Sequence, residues 1–300
     1  IQTSGTKQYL EKHPMKNQFI KLTQSCLKQT FGVIVPLDVA YEIGIWFLTN
    51  MTQHLLGALL CVPAVFNLPG FTADAAARMA RFGALFECGF EVQDTVLRAY
   101  QLCFCGKTVN QRNPSSWLVL LTIHHICGLL MVVPMNIFFG HLKEYHELVF
   151  LVQLAAFVGL LTQMGGYLID TKASAAELLK FKILIVFNWA VTFYCRVYRF
   201  ILLGWSVYNT VKGKSSLAFW AVGAAALCAM MSMNTMILLD GTQRCAKWLP
   251  VHFQNSEENN SFKDSVGTTP NNNQAQDGVT VKCAQLISAR RRTTKNKNTG

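Results

Sequence analysis

Charged residues are what this sequence has least of. Asp, Glu, Lys and Arg supply 14% of its 300 residues, against 51% hydrophobic ones, where a soluble domain carries roughly a quarter charged. That shortage excludes an ordinary soluble globular chain and leaves a multispanning membrane protein. Paired cysteine spacings are missing as well. Of ten cysteines, Cys61, Cys88, Cys103, Cys127, Cys195 and Cys228 fall in apolar stretches. Cys103 and Cys105 are one residue apart, not the two of a redox or zinc motif. Free thiols are expected, with Cys103, Cys105 and Cys245 near a membrane face as the places where palmitoylation would fall. There is no Gly-rich phosphate loop, nucleophile elbow or Cys-based zinc motif, and no internal repeat is visible. Multiple histidine boxes, which membrane di-iron enzymes need, are also absent: there is one adjacent pair, with His141 and His146 in a loop. No metal is expected. A haem held by His54 opposite His124 or His125 has no other support. The chain opens on Ile1 with no apolar leader, which fits a processed amino end, a fragment or a missing upstream span.

What is present is a series of apolar blocks of about 20 residues, the length that crosses a bilayer as a helix. They predict spans at 43–67, 77–104, 117–139, 147–169, 181–207 and 216–239, and helices are the only form open to them against lipid. The second span carries Glu87, Glu91, Asp94 and Arg98 and must be shielded by its neighbours. Before the spans, residues 1–42 form a polar lead with an interfacial helix in which Phe19, Ile20, Leu22, Leu27 and Phe31 alternate with Lys21 and Lys28. After the transmembrane domain of 43–240, residues 241–300 turn to Asn, Gln, Ser, Thr and Gly and are expected to be disordered. This tail ends in Arg290, Arg291, Arg292, Lys295 and Lys297, a contact for anionic lipid or a sorting address. The net charge of +11 raises nucleic acid as a partner, but the basic residues sit in tails and short loops, so none is expected. Their bias, Lys7 to Lys28 and the loops after spans two, four and six, places both termini in the cytosol. The sequons at Asn50 and Asn259 then lie in a span and in the cytosolic tail, out of reach of glycosylation.

Two adjacent imidazoles, His124 and His125, stand inside the third span, where ionisable groups are costly and tend to mark a functional path. Counting about 1.5 Å per residue from the cytosolic helix ends, His124 lies roughly 10 Å deep and Asp94 roughly 15 Å, with Arg98 shallower. Asn50, Gln163, Asn188 and Asn234 fall in the same half, and Gln53 and His54 slightly deeper. Every span thus contributes polar groups to one layer, which predicts a cavity open toward the cytosolic leaflet. Single Asn and Gln residues also serve as interhelical hydrogen-bond glue. Arg196 and Arg199 lie in the outer half and are read first as snorkelling anchors, second as a phosphate contact. A histidine oriented by a buried carboxylate can act as a general base, and His124 or His125 with Asp94 supplies those groups.

These residues resemble the TLC domain, the membrane family that includes ceramide synthases and several non-synthase lipid proteins. The likeness rests on Gly89, Phe90, Glu91, Val92, Gln93 and Asp94, similar to the family's glycine, aromatic and aspartate element. Ile123, His124, His125 and Ile126 follow, similar to its paired histidines. Arg196, within Thr192 to Arg196, resembles the arginine late in a following aromatic span. The resemblance covers about 43–240 and implies an all-α, polytopic, TLC-like bundle of about six transmembrane helices in the endoplasmic reticulum. The sequence departs from the synthase pattern near Asp170: Asp170, Glu177 and Lys180 keep a similar spacing, but Ile169 stands for a histidine and Ala173 for a second aspartate. Where a Glu, Leu, Ser, Thr element would stand there is Gln163, Met164, Gly165 and Gly166. The expectation is a protein that binds or senses membrane lipid, or regulates lipid composition, with Asn50, His54, Glu91, Arg98, Gln163, Asn188 and Arg196 as lipid-binding residues and no cofactor. The alternative is an acyltransferase with acyl-CoA as co-substrate and a lipid amine as acceptor, using His124, His125 and Asp94 as catalytic residues. A transporter is third.

Overall fold

The structure, a computed structural model, describes residues 12–31, 36–104 and 115–253. Among the described residues the chain is helical, with no strand. The elements are α1 (Lys16–Phe31), α2 (Leu37–Phe66), α3 (Ala73–Phe104), α4 (Ser115–Phe138), α5 (Lys143–Leu168), α6 (Ala175–Thr192), a π-helical segment (Phe193–Tyr198), α7 (Arg199–Lys212) and α8 (Leu217–Trp248). The last turn of α6, the π segment and α7 run on as one helix, Ala175–Lys212. Four helical stretches are long and apolar enough to cross a membrane: Ala40–Phe66, Lys143–Gly166, Ala175–Lys212 and Leu217–Trp248. The architecture is that of a membrane-embedded helical bundle. Helix α4 adds a shorter apolar stretch, Thr122–Phe138. Helix α3 falls short in apolarity because Glu87, Glu91 and Asp94 occupy it; it packs against α2 and α4.

Three boundaries differ from the sequence reading, each for a local reason. Helix α2 starts at Leu37, directly after Pro36, whose fixed φ suits a helix entry. Helix α8 continues to Trp248, eight residues past the boundary at 240/241. That extension is held from the side: Asp240 pairs with Arg244 at 2.9 Å, Trp189 Nε1 donates to Thr242 Oγ1 at 2.9 Å, and Lys182 Nζ donates to the Leu249 carbonyl at 2.8 Å. The amphipathic α1 is more than an interfacial helix, since it docks on the start of α2, with Phe19 and Ile20 against Tyr41 and Ile45. Residues 254–300, with the Asn259 sequon and the basic cluster of the tail, lie outside the described residues, as do Lys7, Cys105, Lys107 and Arg112.

Short connections make successive helices antiparallel. Helix α2 closes on Asn67 in the left-handed region (φ 50°), whose N–H reaches the Pro63 carbonyl, and Gly70 (φ 89°) completes the turn into α3. Between α4 and α5 the Leu142 N–H reaches the Phe139 carbonyl, and His146 Nε2 lies 2.9 Å from the Gly140 carbonyl oxygen. His146 is thus a buried structural group on the first turn of α5 rather than a loop residue.

Apolar side chains close the end of the bundle near the α2–α3 and α4–α5 turns to polar groups, around a cavity of about 340 Å³ lined by residues such as Met135, Val211 and Phe219. Cys61, Ala80, Ala84, Met135, Phe139, Tyr145, Val149 and Val211 form one cluster there. A second, Cys127, Phe200, Ala226, Met230 and Met233, lies between α4, α7 and α8. Within the first cluster's reach Asn136 Nδ2 donates to Tyr145 Oη at 2.9 Å, a contact between adjacent helices that leaves the buried Asn136 Oδ1 without a protein partner. The closest approach of α2 and α3 is between glycines: a Cβ on Gly83 would stand 3.0 Å from the Gly57 carbonyl oxygen and 3.1 Å from Leu60 Cβ. Small residues at such a crossing let backbones meet where lipid offers no hydrophobic drive. Gly83→Leu is expected to force α2 and α3 apart and cost about 1 to 3 kcal/mol. A lowered thermal unfolding midpoint in detergent, larger than that of Gly83→Ala, is the measurement that checks it.

Candidate functional site

On α3 the polar residues Glu87, Glu91 and Asp94 recur at spacings of four and three, so they line one inward stripe. Each meets a different neighbour. Glu87 accepts from Gln53 Nε2 at 2.6 Å on α2 and faces His54 Nδ1 at 3.3 Å; the same His54 nitrogen lies 3.1 Å from Gln153 Oε1 on α5. One carboxylate, one imidazole and two amides therefore link α2, α3 and α5. Glu91 is buried against Gly128 of α4, where a Cβ would stand 2.8 Å from its Oε1, and its Oε2 has no protein partner. Only glycine leaves room for that carboxyl group.

Asp94 is buried with His125, and the two groups approach to 4.0 Å (Oδ2 to Nδ1). The hydrogen-bond contact of that nitrogen is instead Thr95 Oγ1, at 3.0 Å. Trp46 Nε1 of α2 donates to Asp94 Oδ1 at 3.2 Å. Asp94 thus stands beside His125 at ion-pair rather than hydrogen-bond distance, and Thr95 occupies the orienting position that the sequence gives no reason to assign.

Beside this stripe opens a cavity of about 530 Å³, lined from α2, α3, α4, α5, α6, the π segment and α8. Asn50, His54, His124, His125, Gln163, Asn188 and Arg196 all reach it. Its lining comes from the amino-terminal halves of α2 and α4 and the carboxy-terminal halves of α5 and α8. In an antiparallel bundle those halves share one end, opposite the apolar seal. Asp240 and Arg244 line it farthest along α8. Of the remaining sequence candidates, Asp94 and Glu91 stand behind the wall, where α3 presents Glu87 and Phe90 instead. The side chain of Arg98 lies outside the described residues.

Several buried atoms in and around the cavity have no protein partner, among them His124 Nδ1 and Asn188 Oδ1 on its wall. Buried polar groups are nearly always satisfied, so such orphans are informative. Arg196 corrects an expectation: it does not snorkel outward but is buried at 7% exposure and reaches the cavity, donating to Asn234 Oδ1 at 3.2 Å and the Val152 carbonyl at 3.4 Å. Arg199 is no free anchor either, since it pairs with Glu147 of α5. The stretch Asp170, Glu177 and Lys180 is a helix start. Ser174 Oγ caps α6 by accepting from the Glu177 N–H at 3.1 Å, and Lys180 pairs with Glu177 on the surface at 2.6 Å. None of the three lines the cavity.

The structure adds Glu87, Gln153, Trp46 and Thr95 to the residues the sequence singles out. Glu87 has a signal in the sequence, the four-and-three spacing it shares with Glu91 and Asp94. Gln153 sits too far from the cytosolic end of α5 for a depth count to catch it. Among the described residues no three His, Cys, Asp or Glu side chains converge in a metal-binding group, and Cys61, Cys88, Cys103, Cys127, Cys195, Cys228 and Cys245 are free thiols. No protein-family model, curated protein or solved structure matches the chain.

Glu87 is the shared acceptor of the polar network, so Glu87→Leu leaves Gln53 and His54 facing an apolar side chain. The expected loss is about 1 to 3 kcal/mol, read as a lower unfolding midpoint. Glu87→Gln, which keeps a carbonyl oxygen for Gln53, is expected to lose less.

Proposed function

We propose that this protein binds or senses a membrane lipid through its polar cavity, as a non-catalytic lipid receptor or regulator of membrane composition. The observation that carries the reading is the pairing of an apolar, membrane-embedded bundle with a cavity of about 530 Å³ whose wall holds unpartnered His124 Nδ1 and Asn188 Oδ1. A lipid headgroup has the donors and acceptors those atoms lack, and its chains match the apolar helices beside the opening. Asn50, His54, Gln163 and Arg196 complete the polar lining, with Arg98 of α3 as a further headgroup residue, whereas Glu91 stands behind the wall against Gly128. The resemblance of the Gly89–Asp94 and Ile123–Ile126 elements to the TLC domain supports a bundle of about six spans, with the more polar α3 and the apolar α4 joining the four longer apolar stretches. The distribution of Lys and Arg supports cytosolic termini, and residence in the endoplasmic reticulum follows from the same family likeness. The basic tail then meets anionic lipid or a sorting partner on the cytosolic face.

A second reading, acyl transfer from acyl-CoA to a lipid amine, is favoured by one arrangement. His125 Nδ1 faces Thr95 Oγ1 at 3.0 Å and Asp94 Oδ2 at 4.0 Å. A histidine oriented by a hydroxyl and a carboxylate in this way has the arrangement of a general base for an acceptor amine. His124 is its neighbour on the cavity wall, and Asp94 is the orienting carboxylate.

Full-length protein purified in detergent is expected to carry a co-purifying lipid, seen by mass spectrometry, and the double substitution His124→Ala, His125→Ala to lose it. Wild-type protein with no retained lipid sinks the receptor reading. Turnover of acyl-CoA with an amine acceptor by the wild type and not by the double variant establishes the enzyme instead.

A further inference from the structure

Arg196 is a permanent cation placed where, among the described residues, no carboxylate pairs with it directly. The guanidinium carries five N–H donors and stays protonated in proteins, yet its two protein acceptors, Asn234 Oδ1 and the Val152 carbonyl, are both neutral. Among the described residues no carboxylate lies in ion-pair range of it. Glu87, on the same cavity wall, is already held by Gln53 and His54. A charge taken out of water without a close partner costs several kcal/mol, and the attraction of Glu87 across the cavity acts from beyond ion-pair range. Asn234, fully buried beside the guanidinium, has its oxygen engaged by Arg196 while its Nδ2 donor has no acceptor. Donors outnumber acceptors at this point.

The backbone there is also unusual. Arg196 lies in the π-helical segment, where the Arg199 N–H reaches back five residues to the Tyr194 carbonyl, and such turns are rare and frequently found at functional sites. The segment brings Cys195 and Arg196 inward together, and the Arg196 side chain reaches the cavity that also holds the unpartnered His124 Nδ1 and Asn188 Oδ1.

We propose that Arg196 is the anchor of an anion subsite in the cavity, binding a ligand through a single phosphate or carboxylate group. Deepening the lipid reading, and resting on it for the source, this makes the bound lipid an acidic one, such as a phosphate-headed glycerolipid or a free fatty acid. The planar fork of a guanidinium matches both oxyanions with two parallel hydrogen bonds. The anion supplies the missing counter-charge, and His124 and Asn188, farther along the wall, take the ligand's other polar atoms.

Full-length protein in nanodiscs of neutral lipid is titrated with phosphatidic acid, oleic acid, diacylglycerol and inorganic phosphate. The wild type is expected to bind the two acidic lipids more tightly than diacylglycerol. Arg196→Gln should weaken acidic-lipid binding roughly 30-fold or more and diacylglycerol binding far less, and Arg196→Lys should restore part of the acidic-lipid loss. Because Arg196→Gln could also disturb folding, Asn234→Asp provides an independent check: it gives the guanidinium a carboxylate of its own, so it should raise the unfolding midpoint and abolish acidic-lipid binding. Acidic-lipid binding that is competed by inorganic phosphate supports the subsite and shows that soluble anions reach it; binding without competition supports it as a headgroup site. Equal acidic-lipid affinity in wild type, Arg196→Gln and Asn234→Asp overturns the subsite, and diacylglycerol binding in that case leaves the lipid cavity standing. Inorganic phosphate bound with no lipid retained supports the subsite and removes the lipid reading. No binding of any probe overturns both.

Discussion

A carboxylate inside an apolar bundle must find hydrogen-bond donors within the protein, and this requirement governs much of the structure. Glu87 meets it through Gln53 and His54 of α2, and His54 in turn meets Gln153 of α5. That network links the three helices at mid-depth, close to where Gly57 and Gly83 allow α2 and α3 to touch and where a Cβ on Gly57 would stand 2.7 Å from the Gln153 amide. Polar attachment and small-residue packing act on the same contact. Moving one helix to gain apolar contact would strand a charged group, so the position of α3, too polar to stand alone in lipid, is fixed by its partners.

The bundle is divided by chemistry along its length. One end is filled with Cys, Ala, Met and aromatic side chains that leave little space for polar groups. The other is opened by Asn, Gln, His and Arg, whose side chains do not satisfy one another fully. A sealed end and an open end suit a cavity that receives a molecule from one leaflet and holds it there. The proposed roles, headgroup binding by the polar wall and charge neutralisation at Arg196, use this division directly.

The helical layout is legible in the sequence because a membrane leaves few alternatives. Apolar blocks of about 20 residues must be helices, and the blocks at 147–169 and 216–239 fall within α5 and α8 but for Ile169 and Ser216, which flank those helices. Depth along each helix also anticipates that Asn50, His54, His124, Gln163 and Asn188 share one layer, and these do line one cavity. What depth cannot supply is direction around the helix axis. Asp94 and Glu91 lie at suitable depths but turn toward Trp46, His125 and Gly128 rather than into the cavity. Arg196 shows the converse: its depth suggested an outward anchor, but its helix turns it inward. The partnership of Thr95 with His125 depends on the rotation of α3 against α4, which no spacing within either helix encodes.

The π segment has a geometric effect beyond the placement of one arginine. Asn188, Thr192, Arg196, Phe200 and Gly204 follow one another every four residues, and all of them face inward. In an α-helix with 3.6 residues per turn, each such step drifts by roughly 40°, so four steps would carry the last residue roughly 160° around the axis. The additional residue absorbed by the π turn takes back roughly 100° of that drift. A single continuous helix can therefore present its cavity residues and its core residues on nearly the same side. The π turn thus acts as a phase correction, allowing one uninterrupted helix to line the open half of the bundle and close the sealed half.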